Sequence, residues 1–284
     1  MVSIIIINYK TERELCECIE SIQESEQKVD YEIIVVDNDE NSRIKNKLKE
    51  KFKEVRYIKS PKNLGFGGGN NLGFQQAHGE FLFFLNPDTI VKKNSIDRLV
   101  NFLETHKNCG IVSPIFLDSK ERIYPSQGSE ELTPLSAIFS LSFINKLLPN
   151  NPISKQYFLS NWDKKEARKV GNVPGTAFLI RKSLLEKVGK FDEKFFLYFE
   201  EFDLCKRVRK LGYDLFILPS SQVIHFWGVS TNRSSSNIKK IFSQSKFYYF
   251  KKHYGLFWAI LVQFITGLGK IHMIITGIIV FSAF

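Results

Sequence analysis

The chain has 284 residues, 43% of them hydrophobic and 25% charged, which excludes a mostly disordered polypeptide and any need for disulfide staples to complete a core. Its length admits one large α/β domain with an appendage or two modest domains. The net charge of +10 is unevenly spread: no Asp or Glu follows Asp214, whereas Arg233, Lys239, Lys240, Lys246, Lys251, Lys252 and Lys270 do. A basic, aromatic tail of this kind suits an anionic surface, and the apolar sequence that follows it favours lipid over nucleic acid, for which no recognition motif appears.

Residues 2–7 form a continuous β-branched run, the pattern of a strand buried on both faces. It lacks a basic leader and a cleavage site, so it reads as a first strand and not as an export signal. Thr11 is placed to cap a helix in which Leu15, Cys18, Ile19 and Ile22 recur at helical spacing. The four cysteines have no zinc-type spacing and read as reduced, buried thiols. Residues 32–36 are a second buried strand ending in Asp37-Asn38-Asp39, followed by a Lys-rich helix and a short strand at 55–58. A loop rich in glycine, from Asn63 to Asn71, leads into a helix. Residues 80–85 form the fourth strand and end in Asn86-Pro87-Asp88-Thr89; a helix at 95–104 and a strand at 111–113 complete the regular part.

From 114 to 170 the pattern weakens and is expected to be irregular, on the acceptor side of any site. Regularity resumes at 173–180 and in a helix over 182–188. A second helix is expected over 198–211, closed by Gly212, and strands over 215–218 and 222–225. Ser235, Ser236 and Asn237 open a basic helix with Ile238, Ile241, Phe242 and Tyr249 on one face. Residues 255–284 are strongly apolar, broken by Lys270 and His272, and fit a span, an interfacial hairpin or a buried helical pair.

Alternating strands and helices imply a mostly parallel sheet with helices on both faces, a Rossmann-like core with ligands beyond the carboxyl ends of its strands. Asp37, the glycine-rich segment and Asp88 all fall there. Asp37 can accept hydrogen bonds from a base or ribose, or simply end a strand in a turn. The glycines of Gly65–Asn70 let backbone N–H groups approach a ligand and place a helix N-terminus near phosphate, or make an ordinary turn. Asp88 can hold a divalent cation bridging diphosphate oxygens. Glu200, Glu201 and Asp203 form the densest acidic cluster, beside the aromatic run Phe195-Phe196-Leu197-Tyr198-Phe199. Burial and mutual repulsion suit such acids to general-base work, and acids in a first helical turn also complement the helix dipole. On that helix Glu200 and Asp203 share a face and Glu201 points elsewhere. His225 is a packed residue or a second metal ligand.

Seven segments, in order, resemble the family 2 glycosyltransferases of GT-A fold, in their rhamnosyltransferase-like branch. They are residues 2–9, Val35-Val36-Asp37-Asn38, residues 63–71, Leu85-Asn86-Pro87-Asp88, Val173-Pro174-Gly175-Thr176-Ala177, residues 191–205 and His225. The resemblance covers residues 1–230 and leaves 231–284 as a basic and apolar membrane-associating segment. It implies an inverting transfer of sugar from a nucleotide-sugar donor, dTDP-rhamnose or a UDP-sugar, to a glycan or lipid-linked acceptor in cell-surface polysaccharide synthesis. The work is expected at the cytoplasmic face of the membrane. By resemblance, Asp37 reads the donor base with Asn38 and the backbone near Tyr9 and Thr11. Gly65, Phe66, Gly69, Asn70 and Asn86 shape the donor pocket. Asp88 and His225 hold Mg2+ or Mn2+, Gly175 and Thr176 flank the acceptor, and Glu201 is the base. Asn86 stands where many relatives carry Asp, and Glu201 where Asp is usual. The Gln-x-x-Arg-Trp signature of processive synthases is absent, which points to transfer of one or few sugars. Two other readings are a sugar nucleotidyltransferase, for which the glycine segment offers only Lys62 to a triphosphate, and a non-catalytic nucleotide-sugar-binding subunit.

Overall fold

The computed structural model describes residues 1–226 and 237–276, with side chains described as far as residue 267. Strand β1 (Val2–Asn8), apolar and buried along its length, lies parallel between β2 (Tyr31–Asp37) and β4 (Phe81–Leu85). Strand β3 (Arg56–Lys59) extends the parallel half beyond β2. On the other side β8 (Ala177–Arg181) runs antiparallel between β4 and β6 (Cys109–Leu117), and β9 (Asp214–His225) returns parallel to β6. The short strands β5 (Thr89–Val91) and β7 (Arg168–Val170) pair antiparallel with β9. The nine-stranded sheet therefore runs β3-β2-β1-β4-β8-β6-β9-β5, with β7 off this path. Its order reverses between β1 and β4, the place where open α/β sheets leave a crevice.

Helices cover both faces. On one, α1 (Glu12–Glu24), α2 (Ile44–Lys51) and α4 (Ser95–Thr105) bury Leu15, Ile19, Leu48 and Leu99 against alternate side chains of the parallel strands, such as Ile4, Ile6 and Val35. On the other, α3 (Gly65–Phe74), α8 (Lys182–Val188) and α9 (Glu200–Lys210) pack on Ile5, Val36, Phe84 and Ile180. All four cysteines are unpaired and buried, as their spacing predicted.

Several boundaries differ from the sequence expectation for identifiable reasons. Thr11 stands at the N-cap of α1 but caps nothing, because its hydroxyl donates to Asn8 Oδ1 at 3.1 Å. The glycine segment is helical from Gly65 onward and is not a loop. The expected strands at 215–218 and 222–225 are one strand, β9, whose register shifts opposite Pro114 and Ile115. Strand β6 continues to Leu117, and the stretch beyond it holds three short helices: α5 (Pro134–Ser140), α6 (Phe143–Leu147) and α7 (Pro152–Tyr157). Thr133, Ser142 and Asn151 cap them through side-chain oxygens, so local capping builds what hydrophobic periodicity could not reveal.

The C-terminal part is a helical hairpin, α10 (Ile238–Tyr254) and α11 (Leu256–Thr276), turned at Gly255 with φ of 90°. Tyr249, Phe250, Ala259 and Val262 join Leu132, Ala137, Tyr157, Phe195 and Phe199 in a third core. Much of the large aromatic content is used here. Of the elements expected in this region, Ser235, Ser236 and residues 277–284 lie outside the described residues.

Candidate active site

The floor of the crevice is set where β1 and β2 end side by side. Asn8 and Asp37 are register partners, and Asn8 Nδ2 donates to Asp37 Oδ1 at 2.8 Å. Asp37 is fully buried and also accepts from Tyr57 hydroxyl at 2.8 Å and Lys59 Nζ at 3.1 Å. Tyr57 and Lys59, on the edge strand β3, were not singled out from the sequence; only their period-2 alternation on a strand beside Asp37 could have found them. Burial and the Asp37 carboxylate push the Tyr57 hydroxyl far above its ordinary value, so it remains a donor. Tyr9, half-buried, follows directly after β1.

Asn38 Nδ2 donates 2.8 Å to Gly65 O and ties the end of β2 to the start of α3, while Asn38 Oδ1 is buried with no hydrogen-bond partner. Gly65 has φ of +71°, and a Cβ there would lie 2.0 Å from Phe196 O. Gly69 packs so closely that a Cβ would meet Asn38 Nδ2 at 2.9 Å and Ile7 at 3.2 Å. Glycine costs about 1 kcal/mol against alanine in a helix interior, so this run is kept for close approach of the helix to the strand ends. Phe66 N donates to Phe196 O at 2.9 Å, and its ring meets Phe191 edge-on at 6.0 Å. Asn70 is buried and bonds within the helix to Phe66 O. Its neighbour Asn71, which the sequence reading assigned no role, holds the 191–193 segment by bonds to Phe191 N, Phe191 O and Glu193.

Beyond β4, Asn86 N donates 2.8 Å to Thr176 O and joins the Asn-Pro-Asp turn to Pro174-Gly175-Thr176. Asp88 is buried, with Oδ1 3.5 Å from His225 Nε2 and no hydrogen bond to Oδ1. Antiparallel pairing of Thr89 with His225, and the bond from Phe226 N to Asp88 O, fix this approach through the backbone. A buried carboxylate oxygen without a hydrogen-bond donor, facing an imidazole nitrogen, is a pair that would fit as two ligands of a divalent cation. Among the described residues no group of three or more His, Cys, Asp or Glu side chains is placed so that it could hold a metal ion.

Helix α9 starts at Glu200, two residues later than its pattern suggested, because Tyr198 and Phe199 both have φ of 70°. Two consecutive aromatic residues in the left-handed region hold real strain, of the kind that persists where surrounding packing over-determines it. Directly after this turn Glu200 is buried and Glu201 half-buried. Glu200 Cβ is 3.8 Å from where a Cβ on Gly67 would lie, and Glu201 lies 3.5 to 3.6 Å from that of Gly175. The two acids thus sit between α3 and the Pro-Gly-Thr turn. Each has a buried Oε2 without a hydrogen-bond partner. Burial raises both carboxyls, Glu200 well above its ordinary value with help from Glu201, and Glu201 to about 7.

Asp203 departs from the expected grouping with Glu200. Its carboxylate accepts from Arg207 Nε at 2.8 Å and pairs with Lys252 Nζ at 2.6 Å and His253 Nε2 at 2.7 Å, the last two on α10. Burial pushes its carboxyl up, but the bond from His253 and the charges of Arg207 and Lys252 outweigh it and hold it at about 2. A carboxylate so saturated and so acidic is a poor proton acceptor at neutral pH.

These distances link Asp37, Asn38, Gly65 and Gly69 into one group, and Asn86, Thr176, Gly175 and Glu201 into another, with Asp88 beside Asn86 in the chain. The sequence profile of glycosyl transferase family 2 matches residues 3–189. The chain belongs to that family. This glycosyltransferase is 24% identical to an N-acetylglucosaminyl-diphospho-decaprenol L-rhamnosyltransferase of Mycobacterium tuberculosis, over 80% of this chain and 76% of the relative. It is 27% identical to rhamnosyltransferase WbbL of Escherichia coli, over 80% and 83% of the two chains. It is 28% identical to a low-salt glycan biosynthesis hexosyltransferase of Haloferax volcanii, over 83% and 70%. Among solved structures it superposes on GalNAc-T7 with UDP, GalNAc and Mn2+ with a TM-score of 0.61 at 18% identity, covering 88% of this chain and about half, 49%, of that one. Staphylococcus aureus TarS 1-349 in complex with UDP-GlcNAc gives 0.56 at 17% identity, over 87% and 65%. These likenesses show the GT-A fold. Family membership also sets aside the nucleotidyltransferase reading.

Proposed function

We propose that this glycosyltransferase moves one sugar, with inversion, from a nucleoside-diphosphate sugar to a glycan or lipid-linked acceptor in cell-surface polysaccharide synthesis. Glu201 carries the reading: a carboxylate with a free buried oxygen, raised to about 7 by burial and packed on Gly175. Its ionised form takes the proton of the acceptor hydroxyl. The hydroxyl oxygen bonds to the anomeric carbon while the bond from that carbon to the diphosphate breaks, and the electron pair leaves with the nucleoside diphosphate. Single displacement inverts the anomeric centre and needs no covalent intermediate. Glu200 beside it is raised by burial and by the charge of Glu201, so the pair resists carrying two negative charges at once.

Asp88 and His225 would hold Mg2+ or Mn2+, which when bound would supply positive charge for the departing diphosphate. Asp37, Asn38, Tyr9 and the start of α3 form the donor side, with Asp37 acting through the oriented Asn8, Tyr57 and Lys59 groups around it. Gly175 and Thr176 form the acceptor side. The rhamnosyltransferase names among its relatives support dTDP-rhamnose as first candidate donor and a lipid-linked N-acetylglucosamine as first candidate acceptor, with UDP-sugars next.

The site is proposed to work at the inner face of the cell membrane. On α11, Leu256, Phe257, Ile260 and Phe264 are more than half exposed and fall within about 100° of one helix face, opposite the buried Ala259 and Val262. Among the described residues no helix is long and apolar enough to cross a membrane, so this face is read as lying on lipid. Nucleotide sugars (dTDP-rhamnose, UDP-glucose, UDP-GlcNAc) tested with Mn2+ for thermal stabilisation and for transfer to lipid-linked N-acetylglucosamine check the activity. Stabilisation and transfer with one donor are expected; no transfer with any of them contradicts the proposed activity.

A further inference from the structure

Helix α10 makes polar contacts to the segment that presents the two glutamates at each end of that segment. Ser245 Oγ donates to Leu197 O at 2.8 Å, immediately before the strained pair Tyr198 and Phe199. Phe242 packs on the rings of both, at 5.5 and 5.2 Å, and Tyr249 on Phe199 at 5.8 Å. Lys252 bridges Asp203 at 2.6 Å and Asp192 at 2.7 Å, and Tyr248 donates to Asp192 at 2.9 Å. His253 reaches Asp203 from the same helix. One turn further along α9, Lys206 and Arg209 pair with Glu131, which also accepts from Tyr254 hydroxyl at 3.2 Å.

The arrangement is more than generic packing. A strained backbone turn relaxes unless its surroundings hold it, and here hydrogen bonds, ring contacts and ion pairs converge on residues 197–203 from a single helix. Paired buried charges are directional, and losing one partner leaves the other uncompensated. They are suited to fixing the rotation of α9 about its axis, which decides where Glu201 points.

We propose that Asp203 is a positioning residue, which together with Lys252, His253 and Ser245 of α10 holds the Tyr198–Phe199 turn in the conformation that aims Glu200 and Glu201 at the reacting sugar. The inference rests on the catalytic role proposed for Glu201. It gives the C-terminal hairpin a second task besides lipid contact: the helix that leads to the apolar face of α11 is the one that clamps the catalytic acids, so the two share one rigid support.

The full-length variants Lys252→Met, Ser245→Ala and Asp203→Asn test it, with kcat and KM for dTDP-rhamnose and amide hydrogen exchange over residues 197–204 as the readouts. Lys252→Met should lower kcat about tenfold and Asp203→Asn about a hundredfold, the scale expected for a misplaced catalytic group. KM for donor should stay within about twofold, because donor contacts lie on β1, β2 and α3. Exchange over 197–204 should rise in each variant while exchange in β1 and β4 stays at its wild-type level. If Asp203→Asn does not fold, Lys252→Met and Ser245→Ala carry the test. Folded variants with wild-type kcat and exchange would overturn the proposal, as would a loss that raises exchange evenly over the whole sheet. Should the wild-type chain transfer no sugar at all, the catalytic reading fails, and the exchange experiment still decides whether α10 holds the turn.

Discussion

Gly175 lies against the side chain of Glu201, so that a methyl group added to Gly175 would stand 3.5 Å from Glu201 Cβ and 3.6 Å from Cδ. Two elements separate in sequence meet at that contact, and in the proposed mechanism the space beside it is where an acceptor hydroxyl reaches the carboxylate. Gly175→Ala makes only ordinary van der Waals contact and is expected to retain most activity. Gly175→Val, which crowds the carboxylate, should lower kcat/KM for acceptor by about a hundredfold with donor affinity unchanged. Steady-state kinetics with each substrate varied in turn checks both.

Glu201→Gln keeps the shape of the side chain and removes its basicity. Turnover should fall by about a hundredfold to ten-thousandfold, the range for loss of a general base, with donor affinity within about twofold. Glu201→Asp should fall between the two, because it keeps the carboxylate but withdraws it by one methylene. Single-turnover transfer and donor binding by calorimetry separate chemistry from affinity.

The same carboxyl predicts two opposite pH dependences. Activity needs the ionised form, so kcat/KM should drop as pH falls below about 7. Stability runs the other way. A carboxyl whose folded value is raised binds more protons folded than unfolded, so its contribution is present in full below its unfolded value and is lost as pH rises through about 7. Glu201→Gln should therefore raise the melting temperature at pH 8, with the gain shrinking as pH falls toward the ordinary glutamate range. Melting curves of both proteins from pH 5 to 8 test the sign.

Asp88 and His225 should behave as a unit. Chelation should abolish transfer, and Mn2+ or Mg2+ should restore it. Asp88→Asn and His225→Ala should each raise the Mn2+ concentration needed for half-activity by about tenfold or more. The double variant should lose much less than the product of the two, as expected for residues sharing one ion. Mn2+ titrations of activity and of bound metal by paramagnetic relaxation check this.

The exposed face of α11 predicts lipid binding. Replacing Leu256, Phe257, Ile260 and Phe264 together by Ser should release the protein from phosphatidylglycerol-rich vesicles in a flotation assay and leave the sheet folded. Binding of the wild type should weaken with salt, because Lys239, Lys240 and Lys251 contribute through charge.

Much of the crevice was legible because its parts are local. Buried strands appear as apolar runs; Asn8 and Asp37 close β1 and β2, and Asp88 follows three residues after β4. What pairs across the fold was not legible. The task of Asp203 depends on partners 49 and 50 residues further along the chain, at Lys252 and His253, and nothing in the spacing of the 200–203 cluster separates a saturated carboxylate from a free one. The left-handed Tyr198 and Phe199 were hidden because aromatic residues carry no preference for that region, so the pattern extended α9 over them. The short helices of 134–157 were hidden for a different reason: side-chain caps start them and remote packing sustains them, with too few turns for a period to emerge.

The anomeric configuration of the product, read by NMR after transfer from dTDP-rhamnose with Mn2+ by the wild type and by Glu201→Gln, decides the mechanism. Single displacement with Glu201 as base gives a product of opposite configuration to the donor from the wild type, and almost none from the variant. A product of retained configuration, or full turnover by Glu201→Gln, rules that mechanism out.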